Sequence, residues 1–282
     1  MSIKSAPTTE TCLAIIAIIF AEESRLPGKE SMKITILTEN VVGYNGAKVC
    51  LAEWGFSAFV EVRGLNILFD TGHTDVYKKN AKHLDVNLDA VDFVVLSHHH
   101  WDHTGGLRFH DFKDKKKLIA HPETVGKLPK EEAAKIRNEF EIIYSTKPYK
   151  FADGMYFLGE IPRKNDFEEG KYKDDDMLDD TAIAIKTAKG AVLITGCSHA
   201  GICNICEYAK EVTGEDLYAV IGGFHLFDDN KEVVDRTIEY FKQEKVEHLM
   251  PMHCVDHPTQ AKFYLNFGSK KYSVGDVIEL DA

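Results

Sequence analysis

The chain has 282 residues, of which 44% are hydrophobic and 28% are charged. These fractions are typical of globular proteins and exclude wholesale disorder. Its 34 basic and 45 acidic side chains give a net charge of −11. This charge argues against a general nucleic-acid binder, because such proteins need a basic face for the phosphates. No apolar run approaches the ~18 residues of a membrane span, so we expect neither a nucleic-acid partner nor a membrane partner.

The six cysteines are spread over the chain, at positions 12, 50, 197, 203, 206 and 254. This density is too low for a disulfide scaffold and favours the reduced thiols of a cytoplasmic protein. Cys203 and Cys206 form a CxxC pair, but no second pair follows. We therefore expect both to be structural residues on one face of a helix rather than zinc ligands.

Residues 1–31 stand apart from the rest of the sequence. The apolar run 12–20 resembles the core of a short signal peptide, although the residues before it are only weakly basic. Met32 then begins MKITILTEN, which has the pattern of a first strand. Three interpretations stay open: an over-long reading frame, which we favour, a signal peptide and a structured extension. We predict one folded domain over residues 32–282, with 1–31 as an N-terminal extension.

The predicted elements alternate along the chain. Short runs rich in Val and Ile, bounded by turn signals, predict strands at 33–38, 57–62, 65–70, 92–97, 181–186, 191–196, 217–222 and 247–252. Apolar residues at helical spacing predict helices at 74–83, 131–140, 201–213, 231–245 and 258–266. Arg63-Gly64 and Lys189-Gly190 predict hairpin turns. The lysine run 115–117 is interpreted as a solvated turn, and the polar, acidic segment 160–180 as a long surface loop or lid.

Each half of the chain therefore offers a hairpin of strands followed by strands that alternate with helices. No linker rich in Pro, Gly or Ser separates the halves. This order predicts an α/β fold, a single αββα sandwich in which two mixed sheets pack face to face with helices outside. In α/β architectures the chemistry collects at the carboxyl ends of the strands, so the residues there are the candidates for a site.

The strongest of these candidates follow the predicted strand at 92–97. His98, His100, Asp102 and His103 form the pattern HxHxDH. Alternate side chains of an extended segment share a face, so His98 and His100 can hold one ion together. The turn that follows directs Asp102 and His103 towards a second ion. Imidazole nitrogens with one carboxylate suit zinc first, and iron or manganese next. His99 is expected to face the other way, as a wall residue.

The second half supplies further candidates at strand ends. His199, His225 and His253 each follow a predicted strand, and chance would rarely place three histidines in this way. We expect four other histidines to be surface or loop residues, those at positions 73, 110, 121 and 257.

The sequence SHHHWDHTGG, preceded by LFDTGH, resembles the metallo-β-lactamase superfamily over about residues 32–282. The runs AEWGFSAFVEV, ITGCSHAGICNI, IGGFHL and Pro-x-His-Cys at 251–254 are similar to one branch of it. Members of this branch are named metal-dependent hydrolases or 7,8-dihydropterin-6-methyl-4-(β-D-ribofuranosyl)-aminobenzene-5′-phosphate synthases. The resemblance implies the metallo-β-lactamase-like αββα fold and two divalent metal ions.

The resemblance also implies roles for individual residues. It implies that His98 and His100 hold the first ion, and that Asp102, His103 and His253 hold the second. It implies that Asp70 of the FDTG motif bonds a ligand imidazole and fixes its tautomer.

The sequence departs from the superfamily pattern at two places. Where most members have a bridging Asp after Gly, this chain has Cys197, and where they have a third histidine it has Asp180. The cysteine could bridge as a thiolate, since a metal deprotonates a coordinating thiol. We favour His199 as the remaining ligand of the first ion, with Cys197 and Asp180 as alternatives.

These observations predict a binuclear metal-dependent hydrolase acting on a small molecule. A metal-activated hydroxide would attack an ester, lactone, thioester or phosphoester, with Asp102 orienting the hydroxide and His225 donating a hydrogen bond or proton. The alternative is a metal-dependent, pterin-linked transferase like the synthases of the branch. A non-catalytic metal-binding protein is disfavoured by the intact HxHxDH pattern. Homo-oligomer formation is left open.

Overall fold

The computed structural model describes residues 31–45 and 48–282. The predictions made for the first 30 residues therefore lie outside the described residues. The strands of the two large sheets are β1 (Ser31–Thr38), β2 (Ser57–Val62), β3 (Leu65–Phe69), β4 (Phe93–Val95), β5 (Lys116–Ala120), β6 (Phe140–Tyr144), β7 (Tyr149–Ala152), β8 (Met155–Phe157), β9 (Ala182–Thr187), β10 (Gly190–Thr195), β11 (Leu217–Gly223), β12 (His248–Met252) and β13 (Val277–Asp281). The helices are α1 (Val76–His83), α2 (Trp101–Thr104), α3 (Pro122–Gly126), α4 (Lys130–Glu139), α5 (Ile202–Thr213), α6 (Lys231–Glu244) and α7 (His257–Phe267).

The strands form two mixed sheets. The first has the order β13-β1-β2-β3-β4-β5-β6, antiparallel as far as β3 and parallel from β3 to β6. The second has the order β12-β11-β10-β9-β8-β7, parallel from β12 to β10 and antiparallel beyond. Tyr44–Asn45 and Lys48–Val49 form a short separate ladder. Each sheet thus combines hairpins with the parallel strands whose carboxyl ends carry the site.

Alternation along the strands builds the layers. In β10, Val192 and Ile194 pack between the two sheets, whereas Ala191 and Leu193 face the helices on the outside. Successive side chains of a strand point to opposite faces, and both faces are covered here, so the strand is buried along its whole length. The first sheet is covered in the same way by a separate cluster that includes residues of α1 and α4. The αββα sandwich predicted from the strand order is confirmed.

Helix α5 shows why the predicted helices form. Ile202, Cys206 and Ala209 lie on one buried stripe, packed against the outer face of the second sheet. Gly214 ends the helix in the left-handed conformation, which glycine adopts without a steric penalty. Cys203 and Cys206 are both buried in this cluster, as expected for structural cysteines.

All the predicted strands and helices are present, with ends that differ by at most two residues. In the two large sheets, the strands that the sequence reasoning missed are β5, β6, β7, β8 and β13. It also missed the short helices α2 and α3 and the short separate ladder. The interpretation of 115–117 as a solvated turn was wrong, because β5 begins at Lys116. Leu118 and Ile119 are buried between parallel neighbours, which keeps the lysine backbone in the sheet. The segment 160–180, called the lid segment below, is a loop between β8 and β9.

Candidate metal centre

The predicted ligands follow the carboxyl ends of strands in both sheets. His98 follows β4, His199 follows β10 and His253 follows β12. Because β10, β11 and β12 are parallel, their carboxyl ends lie at one edge of the second sheet. The loop after β4 meets this edge, so that the ring centroids of His103 and His253 are 5.0 Å apart, as are those of His98 and His199.

One group of donor atoms, called the aspartate group, consists of Asp102, His103, Cys197 and His253. One donor atom from each lies within 4.8 Å of the others, and all four residues are buried. The Nε2 atom of His103 is 3.2 Å from Nε2 of His253 and 3.1 Å from Sγ of Cys197. Oδ2 of Asp102 is 3.3 Å from Nε2 of His253. Both halves of the chain thus contribute to this group.

A second group, called the imidazole group, consists of His98, Cys197 and His199. His100 lies beside it, with Nδ1 3.1 Å from Nε2 of His199 and its ring 4.7 Å from that of His98. Cys197 belongs to both groups, so its sulfur lies between them.

Of the two alternative ligands, Cys197 belongs to both groups, whereas Asp180 lies beside them. Asp180 is fully buried, with Oδ2 accepting from the Ala200 amide and Oδ1 4.0 Å from Nδ1 of His98. Its Oδ1 is buried without a hydrogen-bond partner. Asp180 thus borders the imidazole group, although its donor atoms do not lie within 4.8 Å of all the others. Cys254, to which sequence reasoning gave no role, lies within 4.8 Å of Cys197 and of His225. Its position directly after His253 was the available signal.

Hydrogen bonds set the tautomers of three imidazoles. Nδ1 of His103 donates to Asp70 at 2.7 Å, as the resemblance implied for that carboxylate. The Ser97 hydroxyl also donates to Asp70, at 2.6 Å. Because its single proton is used there, Ser97 Oγ accepts in its 2.9 Å contact with His98, and Nδ1 of His98 is the donor. Nδ1 of His253 donates to Oδ1 of Asn40 at 3.0 Å. In each ring Nδ1 is the donor, so Nε2 faces the site and is the nitrogen that would bind a metal.

Sequence reasoning missed Ser97 and Asn40. The side-chain amide of Asn40 also donates to the His253 carbonyl at 2.8 Å, so this residue holds both the ring and the backbone of its histidine. It comes from the loop after β1, about 210 residues away in the chain, and no local pattern marks it.

Electrostatics separate the two groups. Burial and the neighbouring imidazoles hold the pKa values of His98 and His199 well below the ordinary value, so both rings are neutral at pH 7. In the aspartate group burial opposes charge, yet His103 and His253 hold the pKa of Asp102 well below its usual range. Asp102 and Asp70 in turn outweigh burial and raise the pKa of His103 to about 9. An ion bound there would take the place of the imidazole proton.

The backbone at the site is strained. Asp70, Ser198, His225 and His253 all have φ between 50° and 64°, a region that costs non-glycine residues energy and that clusters at functional sites. At Gly196 a Cβ would lie 2.1 Å from Oγ of Ser97. Glycine is therefore required where the loop after β10 crosses the loop after β4.

The donor set fits divalent metal ions. A tetrahedral zinc with bonds of about 2.0–2.3 Å separates its ligand atoms by roughly 3.3–3.7 Å, close to the separations around Nε2 of His103. Nε2 of His98 and Nδ1 of His199 are buried without a hydrogen-bond partner. Buried polar atoms are nearly always paired, so these two atoms point to a missing ligand.

The other predicted histidines lie outside both groups. His99 donates its backbone N–H to Asp179 at 2.7 Å, and its ring contacts the same carboxylate, so it faces away from the donor atoms. His225 contacts the ring of His199, with 4.3 Å between the centroids. His121 is buried, with Nδ1 accepting from the Glu123 amide, and is thus not a surface residue.

Comparisons with known proteins give the family. A model described as the metallo-beta-lactamase superfamily matches residues 55–210. The chain belongs to this superfamily. It is 32% identical to the 7,8-dihydropterin-6-methyl-4-(β-D-ribofuranosyl)-aminobenzene-5′-phosphate synthase of Methanocaldococcus jannaschii, over 84% of this chain and 92% of that protein. It is 33% identical to an uncharacterised protein of the same organism, MJ0448, over 78% of this chain and 90% of that protein.

Solved structures agree with this assignment. The crystal structure of Tm1679, a metal-dependent hydrolase of the β-lactamase superfamily, is 26% identical, covers 89% of this chain and all of its own, and has a TM-score of 0.76. A diphosphatase from the PhnP family is 15% identical, has a TM-score of 0.55, and covers 89% of this chain and 97% of its own, so it shows the fold alone. Among the described residues no helix has the length and apolar character needed to cross a membrane.

Proposed function

We propose that the chain is a metal-dependent hydrolase that cleaves a small-molecule ester, lactone, thioester or phosphoester. The observation that carries the proposal is the convergence of two donor groups on Cys197. Donor groups that share a ligand would hold two ions close together, as in the two-metal sites of many phosphatases and aminopeptidases.

Each residue then has a role in holding the ions. His98, His100 and His199 would hold one ion, and Asp102, His103 and His253 the other, with Cys197 between them. The donor atoms suit zinc, with iron or manganese as alternatives. Divalent ions held here would polarise the scissile group and lower the pKa of water.

The protein's own groups perform the remaining steps. Asp102, whose pKa is held low, is a carboxylate at neutral pH and would accept a hydrogen bond from the attacking water, fixing its direction. His225 lies outside the aspartate and imidazole groups, beside His199, and would donate a proton to the leaving oxygen.

A panel of simple substrates tests the proposal. Full-length protein reconstituted with zinc or manganese should cleave generic phosphodiesters, lactones or thioesters without an organic co-substrate. Elemental analysis should find two ions per chain. His100→Ala serves as the control that loses metal and activity together. Fewer than about one ion per chain, or no cleavage without an added acceptor, would overturn the proposal.

The second candidate function is that of a metal-dependent, pterin-linked transferase. It is favoured by the relative named a synthase, which is 32% identical over 92% of its own length. Under this alternative a pterin bearing a phosphate leaving group is consumed only when an aromatic ribosyl-phosphate acceptor is added. One phosphate or diphosphate is released for each product formed. Running this pair beside the simple esters decides between the two functions.

A further inference from the structure

A cavity of about 420 Å³ opens beside His199 and His225. Its size falls within the range of small-molecule sites. The apolar part of its lining comes from α5, α6 and the loop between β11 and α6, namely Ile202, Phe224, Leu226, Val233 and Val234. The roles proposed for hydrolysis do not include this apolar lining.

Aromatic rings line the part of the cavity that borders the donor groups. Tyr172, from the lid segment, has its ring centroid 5.0 Å from that of His100, 5.1 Å from that of His199 and 6.0 Å from that of His225. Phe227 also lines the cavity, with its ring 5.3 Å from that of His225 and nearly perpendicular to it. A molecule in this cavity would therefore contact aromatic rings next to the donor groups.

The lining of the cavity carries charges of both signs. Its basic side chains are Lys171 and Lys173, and its acidic side chains include Glu169 and Asp229. The third carboxylate, Glu168, accepts from the Cys203 amide at 2.8 Å and the Asn204 amide at 2.9 Å. Neither sign of charge dominates the lining, so the aromatic rings are a separate feature by which ligands can be distinguished.

Hydrogen bonds hold the lid segment in place. Glu168 satisfies amides in the first turn of α5, which lacks a side-chain cap from its own N-cap residue. Arg163 donates to the carbonyls of Gly170, Asp176 and Met177 at 2.8–3.1 Å and so ties the two ends of the segment together. Tyr172 thus forms a wall that is already in position.

Contacts on the far side of the lid segment complete this support. Asp175 exchanges two backbone hydrogen bonds with Tyr172, at 2.9 and 3.0 Å, and its carboxylate accepts from Lys127 at 2.9 Å. The tip of the segment is therefore bonded both to α5 and to the region after α3.

We propose that this cavity binds the organic part of the substrate, that this part carries an aromatic ring, and that Tyr172 is the residue that selects for it. This proposal rests on the proposed function, because it takes the cleaved bond to be the ester, lactone, thioester or phosphoester named there. The ring packs against Tyr172, and the group to be cleaved projects past His199 towards the donor atoms.

Two non-hydrolysable probes of equal charge test the proposal. Zinc-loaded, full-length protein is titrated by calorimetry with phenylphosphonate and with methylphosphonate, which differ only in the ring. We expect phenylphosphonate to bind about 10-fold more tightly, a difference in line with one added ring contact and the area it buries. Tyr172→Ala should abolish the preference, and Tyr172→Phe should retain it. Tyr264→Ala, an exposed position on α7, is the matched control.

Equal affinities in the unaltered protein, or a preference that survives Tyr172→Ala, would overturn the proposal. If Tyr172→Ala does not fold, Phe227→Leu removes the other ring while keeping apolar volume, and the ring preference should fall in the same direction. The result is independent of turnover. Ring preference without ester cleavage contradicts the hydrolase alone, and ester cleavage without ring preference contradicts this proposal alone.

Discussion

The aspartate group and the imidazole group share Cys197 but are supported differently. In the aspartate group, both histidines donate from Nδ1 to a protein acceptor, His103 to Asp70 and His253 to Asn40. In the imidazole group, His98 has such an acceptor in Ser97, but His199 has a buried Nδ1 without a partner, and its Nε2 faces the ring of His100. The first group is ordered by the protein, whereas the second leaves part of its bonding to a ligand.

This difference indicates that the protein orients the ligands of the aspartate group more completely than those of the imidazole group. Acceptors that orient a ligand imidazole commonly change metal affinity by 10–100-fold. We therefore expect the aspartate group to bind its ion more tightly than the imidazole group. The predictions below test that ranking, from the largest expected effect to the smallest.

Replacing His225 should separate chemistry from both groups. His225→Ala is expected to lower turnover by about 10²–10⁴, the usual effect of removing an acid–base group, while both ions stay bound. Turnover and elemental analysis of the same preparation provide the measurement. Loss of an ion would make His225 a ligand and would break the two-group description.

Removing the ions should destabilise the fold in two steps. Ions at about 100 times their dissociation constant stabilise a protein by about 2.7 kcal/mol, and ~2–4 °C of melting temperature correspond to each kcal/mol for a domain of this size. A chelator should thus lower the melting temperature by about 5–10 °C for each ion that it removes. In a chelator titration followed by elemental analysis, we expect the imidazole group to lose its ion first and the aspartate group second. His199→Ala should therefore abolish the first of these two steps. If the variant lacks the second step instead, the ranking of the two groups is reversed.

Asp70→Asn should weaken both groups. Asp70 accepts from Ser97 N, Ser97 Oγ and His103 Nδ1, and an amide cannot accept all three bonds. We expect metal affinity to fall by about 10–100-fold, measured by competition with a chromogenic chelator. An effect confined to one ion would mean that Ser97 does not transmit the support to His98.

Asn40→Ala should act on the aspartate group alone and more weakly, by up to about 10-fold, because one neutral hydrogen bond to the ring is lost. The two steps of the chelator titration should then move closer together. Unchanged spacing would show that Asn40 does not support the affinity of this group.

Deleting residues 1–30 should leave both groups as they are. β1 begins at Ser31 and pairs with β13 and β2, and the donor atoms all come from residues beyond it. Metal content should be unchanged and the free energy of unfolding should change by less than about 0.5 kcal/mol. A larger loss of stability would show that the apolar run 12–20 packs against the folded domain.

Much of the fold could be predicted because alternation along strands and helical spacing are local patterns. Three of the strands that were missed are short or begin with charged residues. β5 begins with two lysines, and β7 and β8 have four and three residues. The hairpin of β7 and β8 did carry a signal, Asp153-Gly154, a dipeptide typical of tight hairpin turns. Short or charged strands are held in a sheet by their neighbours, and single-sequence patterns do not report those neighbours.

The sequence by itself determined which residue types stand at the strand ends, and the HxHxDH spacing already indicated a metal-binding loop. Only the tertiary structure decided that Cys197 lies in both donor groups, that Asp180 borders the site, and that Asn40 orients His253. The physical reason is that the spacing along a strand is set by backbone geometry, which each segment carries with it. Contacts between residues up to about 210 positions apart depend instead on how the two sheets pack and on glycines such as Gly196 that let the loops approach.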